Sequence, residues 1–150
     1  MELFGKVEKT LDAKGRLSIP KKLREGLLSK EGDQLAMLFF DECVQIFPWS
    51  TWLKILDAMR SLPMLDPLAR LFKRVWGENV EICELDAEGR IVFSKSLKEM
   101  AGIDRDVMII GAFTHLEVWA KERHEQHLRN RPSLEDLAQQ LAAKGISLPL

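Results

Sequence analysis

Fourteen residues of this chain occur twice. Residues 11–24 read Leu-Asp-Ala-Lys-Gly-Arg-Leu-Ser-Ile-Pro-Lys-Lys-Leu-Arg, and residues 85–98 read Leu-Asp-Ala-Glu-Gly-Arg-Ile-Val-Phe-Ser-Lys-Ser-Leu-Lys. Aligned without a gap, seven of the fourteen positions are identical, among them Asp12/Asp86, Gly15/Gly89 and Arg16/Arg90. Leu17/Ile91 and Arg24/Lys98 keep their chemistry. The likeness continues downstream, where Val-Gln-Ile-Phe at 44–47 meets Leu-Glu-Val-Trp at 116–119. Two copies make a duplicated unit and not a solenoid.

Each copy reads as short strands with one small helix. Val7, Lys9 and Leu11 alternate with Lys6, Glu8 and Thr10, the period of a strand with one buried face. Asp12-Ala13-Lys14-Gly15 is a turn, since aspartate bonds backbone groups ahead of it and glycine accepts positive φ. Residues 16–19 return as the second strand, with Arg16 at the mouth of a hairpin. Pro20 suits the first position of a helix over 21–28. Strands at 35–40 and 43–47 follow, and Cys43 between apolar residues belongs to the core. Ser50 is placed to cap a helix with Trp52, Ile55, Leu56, Met59 and Leu62 on one stripe. Asp66-Pro67 opens another, with Gly77 as its stop. The second copy predicts strands at 80–85, 90–93, 107–112 and 116–119, and a helix at 95–101 capped by Ser94. Helices at 120–129 and, capped by Ser133, up to Gly145 form a tail outside both copies.

The expected organisation is therefore a first repeat at 1–51, connecting helices at 52–76, a second repeat at 77–123 and a helical tail at 124–150. One such repeat buries too little apolar surface to be stable alone and leaves strand edges open. Fusing two lets them close a shared barrel about a pseudo-two-fold axis, a dimer made inside one chain. The fold class is α+β with a mainly β core. Trp49, Trp52, Trp76 and Trp119 are read as packing or subunit contacts, and an oligomer is expected.

Net charge is −1, but it is unevenly spread. Residues 1–24 hold seven basic side chains against three acidic ones, a local patch that attracts a phosphate backbone. Residues 77–98 hold five acids and three bases. Arg16 has two readings: it reaches a phosphate or guanine edge, or it pairs with Asp12 and stabilises the turn. Asp12 repels phosphate, so its job is to fix the turn and orient Arg16. Lys14 shares that turn. Lys9, taken as lying on the polar side of the first strand, and Lys21 are further candidates, while Arg24 can equally pack against its own helix.

Other chemistries find little purchase. His124 and His127 stand three apart on a helix read as a polar surface helix, without a third metal ligand at suitable spacing. Cys43 and Cys83 match no zinc spacing or disulfide framework, which suits a reducing cytoplasm. Phosphate-binding loops, dinucleotide fingerprints and nucleophile elbows are absent from the sequence. The opening Met-Glu-Leu-Phe does not read as a signal peptide. No apolar run approaches the ~18–20 residues of a membrane span.

The pattern Leu-Asp-x-Lys-Gly-Arg-Leu-x-Ile-Pro-x-x-x-Arg at 11–24 resembles the swapped-hairpin barrels of the SpoVT/AbrB superfamily. Two copies in a chain of this length resemble the MraZ family of bacterial transcriptional regulators, encoded at the start of the division and cell-wall gene cluster. The resemblance implies a pseudo-dimeric barrel, assembly into a ring, and binding of short direct repeats in double-stranded promoter DNA. It implies a nucleoid-associated location and no cofactor, membrane or small-molecule substrate. The family's Asp-x-x-x-Arg positions, which shape its DNA surface, fall here on Asp12 and Arg16, and on Asp86 and Arg90. Gly15 and Gly89 complete the turns. Glu88 in place of Lys14, and Ser94 in place of Pro20, make the second copy the poorer DNA surface, so Arg90 is divided between DNA contact and pairing with Asp86. The other readings are an oligomeric scaffold without DNA binding and an antitoxin-like grip by the last helix.

Overall fold

A computed structural model of the chain describes residues 3–30 and 32–149. Its first half contains β1 (Leu3–Thr10), β2 (Arg16–Ser18), α1 (Lys21–Leu27), β3 (Leu35–Phe40), β4 (Cys43–Pro48), α2 (Trp49–Arg60) and α3 (Pro67–Asn79). Its second half contains β5 (Glu81–Cys83), β6 (Arg90–Val92), α4 (Lys95–Ala101), β7 (Asp106–Phe113), β8 (Leu116–Ala120), α5 (Lys121–Asn130) and α6 (Leu134–Ala143). The element order of the first half, ββαββαα, is thus repeated by the second. The C-terminal helices, read from the sequence as a tail, hold the place in chain order that α2 and α3 hold in the first half.

The halves exchange strands. A six-stranded antiparallel sheet runs in the order β1-β7-β8-β4-β3-β5, and β2 pairs with β6 in a small second sheet. β1 therefore leaves its own half to pair with β7, and β5 pairs with β3. Register obeys the same exchange: Lys9 faces Val107 as Cys83 faces Leu35, and Val7 faces Ile109 as Glu81 faces Met37. The pseudo-axis passes through two pairs of equivalent residues, Leu17 with Ile91 and Gln45 with Glu117. Such i-to-j, j-to-i pairing is the signature of an isologous contact, here between two parts of one chain.

This exchange changes the expected hairpin. β2 does not pair with β1; it pairs antiparallel with its own counterpart strand, β6, and one closure, the Asp12 amide to the Arg16 carbonyl at 3.0 Å, joins the strands around the first turn. A three-residue strand forms too few bonds to hold a ladder alone, and its equivalent is the one strand whose apolar face matches. Leu17 and Ile91 are completely buried there, in a core that draws Leu3, Leu11, Ile19, Leu35, Val44, Phe93, Leu97, Val107 and Leu116 from both halves. A second cluster, Ala36, Leu38, Phe47 and Trp52, lies where α2 covers the outer face of β3 and β4.

Other boundaries depart from expectation for local reasons. Prolines cap the first two helices: Pro20 stands at the start of α1, as its chemistry suggests, and Pro48 takes the place expected for Ser50 ahead of α2, each with φ −55°. Proline's fixed φ suits helix entry, and the Pro20 carbonyl already accepts from the Arg24 amide at 2.9 Å. Ser50 therefore lies inside α2. Gly77 does not stop α3, which continues to Asn79, whose side-chain amide donates to the Val75 carbonyl at 2.7 Å. Asp66 caps that helix as expected, accepting from the Leu68 and Ala69 amides. Asp41 and Glu42, with φ of 55° and 71°, form the left-handed pair of a tight β3–β4 hairpin. His124 is buried against Trp119, so α5 is not simply a polar surface helix. Cys43 is buried and Cys83 half-buried, and burial pushes the Cys83 thiol up to about 12. No helix among the described residues is long and apolar enough to cross a membrane.

Because both halves build one core through exchanged strands, they should unfold together. Leu17→Ala, which opens a cavity on the pseudo-axis, is expected to cost about 2–5 kcal/mol within a single transition. Denaturant unfolding followed by tryptophan fluorescence and circular dichroism checks this; two separated transitions would contradict it.

Candidate nucleic-acid interface

The two Asp-x-x-Gly-Arg turns flank the β2–β6 pair and are tied to each other. The Gly89 carbonyl accepts from the Ile19 amide at 3.0 Å, and the Gly15 carbonyl accepts from the Phe93 amide at 3.3 Å. Each turn thus rests on the strand of the opposite repeat. Both glycines need positive φ, 75° and 76°, to bring the chain back towards the aspartate.

Inside each turn one carboxylate organises everything. Asp12 Oδ1 accepts from the Lys14 and Arg16 amides, each at 2.9 Å, and Oδ2 accepts from Arg16 Nε at 2.6 Å. Asp86 repeats the arrangement with the Glu88 amide at 3.0 Å, the Arg90 amide at 2.9 Å and Arg90 Nε at 2.8 Å. Both sequence readings of Arg16 meet in this geometry. The pairing with Asp12 exists, yet it occupies Nε and leaves the terminal guanidinium nitrogens without a partner among the described residues. The arginine is aimed, not consumed.

The turns differ at one position. In the second, Arg90 Nη2 also donates to Glu88 Oε2 at 3.2 Å, so the guanidinium is engaged on two sides. In the first, Lys14 stands where Glu88 would be. One turn carries a net positive charge and the other a net negative one.

The remaining candidates divide between the turns. Lys21 lines an open groove with residues 85–89, beside the second turn and not the first. Arg24 does not pack against its own helix: Nη1 donates to the Glu88 carbonyl at 3.3 Å, and the guanidinium lies over Gly89. Lys9 is half-buried in the row of Val7, while Lys6, Glu8 and Thr10 take the exposed row. It therefore lies off the strand's polar face. Lys98 was not singled out from the sequence, yet its ammonium sits over Gly15, 3.5 Å from where a Cβ there would be. Its only signal was its alignment with Arg24. Among the described residues, no group of three or more His, Cys, Asp or Glu side chains could hold a metal ion.

The Arg16 amide, the Arg16 side chain and the Lys14 amide hold the Asp12 carboxyl below its ordinary 3.8, and Asp86 is lowered in the same way by Arg90 and the Glu88 amide. A carboxyl depressed on folding stabilises fully above its unfolded value and loses that contribution as pH falls through the folded one. The window therefore begins near 3.8 and extends downward. Carboxyl-carbon NMR titration should give both aspartates midpoints under 3.8, and Asp12→Asn should remove one of them. Midpoints at or above that value would mean the turns do not hold their carboxylates.

Comparison with known proteins agrees with the duplication. A family model described as "MraZ protein, putative antitoxin-like" matches residues 3–75 and 79–144. "Transcriptional regulator MraZ" of Symbiobacterium thermophilum is 38% identical over 125 residues, 83% of this chain and 88% of that protein. The protein of the same name from Syntrophomonas wolfei is 37% identical over 144 residues, 95% of this chain and 99% of its own. That from a Thermoanaerobacter species is 36% identical over 141 residues, covering 93% and 96%.

Proposed function

The chain belongs to the MraZ family, and from that premise we propose that it is a DNA-binding transcriptional regulator whose first-repeat turn meets the phosphate backbone. The observation that carries this reading is Arg16. Its Nε is fixed by Asp12 at 2.6 Å while its terminal nitrogens have no partner among the described residues, on a turn that also bears Lys14. A preorganised guanidinium loses little freedom when it binds, and its fork suits phosphate or a guanine edge. The second turn contributes less: Glu88 engages Arg90 and repels phosphate. The reading needs no catalysis, since both turn aspartates are occupied by amides and arginine.

The finer reading is a ring of copies that engages direct repeats in promoter DNA of the division and cell-wall cluster. α3 buries none of its residues, and Leu68, Leu71 and Val75 are 74%, 51% and 51% exposed. α6 likewise buries none, with Leu134 70% exposed. Each half so carries an amphipathic helix with an apolar stripe open to solvent. A contact between unlike ends of successive copies closes into a ring where the rotation allows. Several first-repeat turns on one ring would then gain by multivalency what one lacks in affinity.

Wild type and Arg16→Ala should be titrated against upstream promoter DNA at several salt concentrations. Wild type is expected to bind with affinity that falls steeply as salt rises. Arg16→Ala is expected to lose specific binding while keeping the same assembly by size. An intact assembly with no DNA affinity at any salt would make the protein a scaffold and end this reading. Leu71→Glu on α3 is expected to dissociate the oligomer in sedimentation velocity; an unchanged sedimentation coefficient would remove α3 from the contact.

A further inference from the structure

We infer that Lys98 is a phosphate-contacting residue of the first-repeat turn, so that one DNA face is built across the repeat boundary. This rests on the DNA reading above and adds to it a residue from the opposite half of the chain.

Four observations carry it. Lys98 Nζ lies over Gly15, the residue between Lys14 and Arg16. Its helix is anchored: α4 buries Leu97 and Ala101 in the common core, and Ser94 Oγ accepts from the Leu97 amide at 3.1 Å. The Phe93 amide, just ahead of that helix, is bonded to the Gly15 carbonyl itself. The equivalent residue, Arg24, lies over Gly89 in the same way, so the placement recurs under the pseudo-symmetry and is not one side chain's accident.

The two exchanged cations have different work. Arg24 lies on an acidic turn and meets a carbonyl there. Lys98 joins Lys14 and Arg16 around the single carboxylate Asp12, whose oxygens already accept from Arg16 and two amides. Among the described residues no carboxylate lies within ion-pair distance of Lys98, whereas Lys95 one turn earlier has Glu99 at 3.9 Å. Three cations held at one turn with one anion among them form a site short of negative charge. A DNA phosphate supplies it.

The test compares wild type, Arg16→Ala, Lys98→Met, Lys98→Arg and Lys54→Met on one specific and one unrelated duplex across a salt series. Methionine keeps the length of the stem, and equal melting curves and sizes would establish that fold and assembly are unchanged. Lys98→Met is expected to weaken both duplexes by a similar factor and to reduce the salt slope by about one per bound turn. Lys98→Arg and Lys54→Met, the latter on α2, are expected to keep the wild-type slope. If Lys98→Met binds as wild type while Arg16→Ala does not, this inference is wrong and the regulator reading stands. It is equally wrong if Lys54→Met weakens binding as much, since the effect is then one of net charge, or if Lys98→Arg fails to retain it. Should wild type itself not bind DNA, both readings fall.

Discussion

Everything in this fold depends on one three-residue strand pairing with its own equivalent. β2 and β6 meet around Leu17 and Ile91, both fully buried, and that contact defines the axis about which the other strands are exchanged. A three-residue ladder contributes little by hydrogen bonding, since each net bond is worth only about 0.5–1.5 kcal/mol. Its weight comes from position. It closes one side of the core and brings the two Asp-x-x-Gly-Arg turns to either end of the same short ribbon. The reciprocal bonds from Ile19 to Gly89 and from Phe93 to Gly15 then make each turn's geometry a property of both halves.

On that frame, carboxylate–arginine pairs act as aiming devices. Exposed ion pairs add little to stability, with a median of about 0–1 kcal/mol. Asp12 and Asp86 matter instead because each ties two amides and one guanidinium to a single side chain. Whether the aimed arginine remains available is decided by the residue two positions before it. Lys14 leaves Arg16 open, and Glu88 engages Arg90. Near-identical backbones therefore present opposite electrostatic faces.

Much of this was legible in the chain. The duplication, the turn chemistry, the pairing of Asp12 with Arg16 and the more acidic second turn all follow from residues a few positions apart, where local physics decides. Strand exchange was not readable from 3–18 alone, because β1 and β2 carry the pattern of an ordinary hairpin; their partners lie roughly a hundred and roughly seventy-four residues away. The same distance hid the cations. Nothing within α1 or α4 marks Arg24 or Lys98, and only the folded chain lays each over the other repeat's glycine. Distance likewise puts Lys21 beside the second turn, whereas Lys9 leaves the polar face for a local reason, its place in the half-buried row of Val7. α3 continues through Gly77 to Asn79, because glycine's cost inside a helix is only about 1 kcal/mol and does not by itself end one.

The covalent link between the halves has a genetic consequence. In a dimer of single repeats every codon is expressed twice around the axis, so no change can reach one turn without the other. Here positions 14 and 88 are separate codons, and one has become lysine where the other is glutamate. A lineage carrying such a gene can retune one face in single steps while the second keeps the barrel closed. Dilution does not undo the arrangement either, because the partners that meet across the axis are never separate molecules.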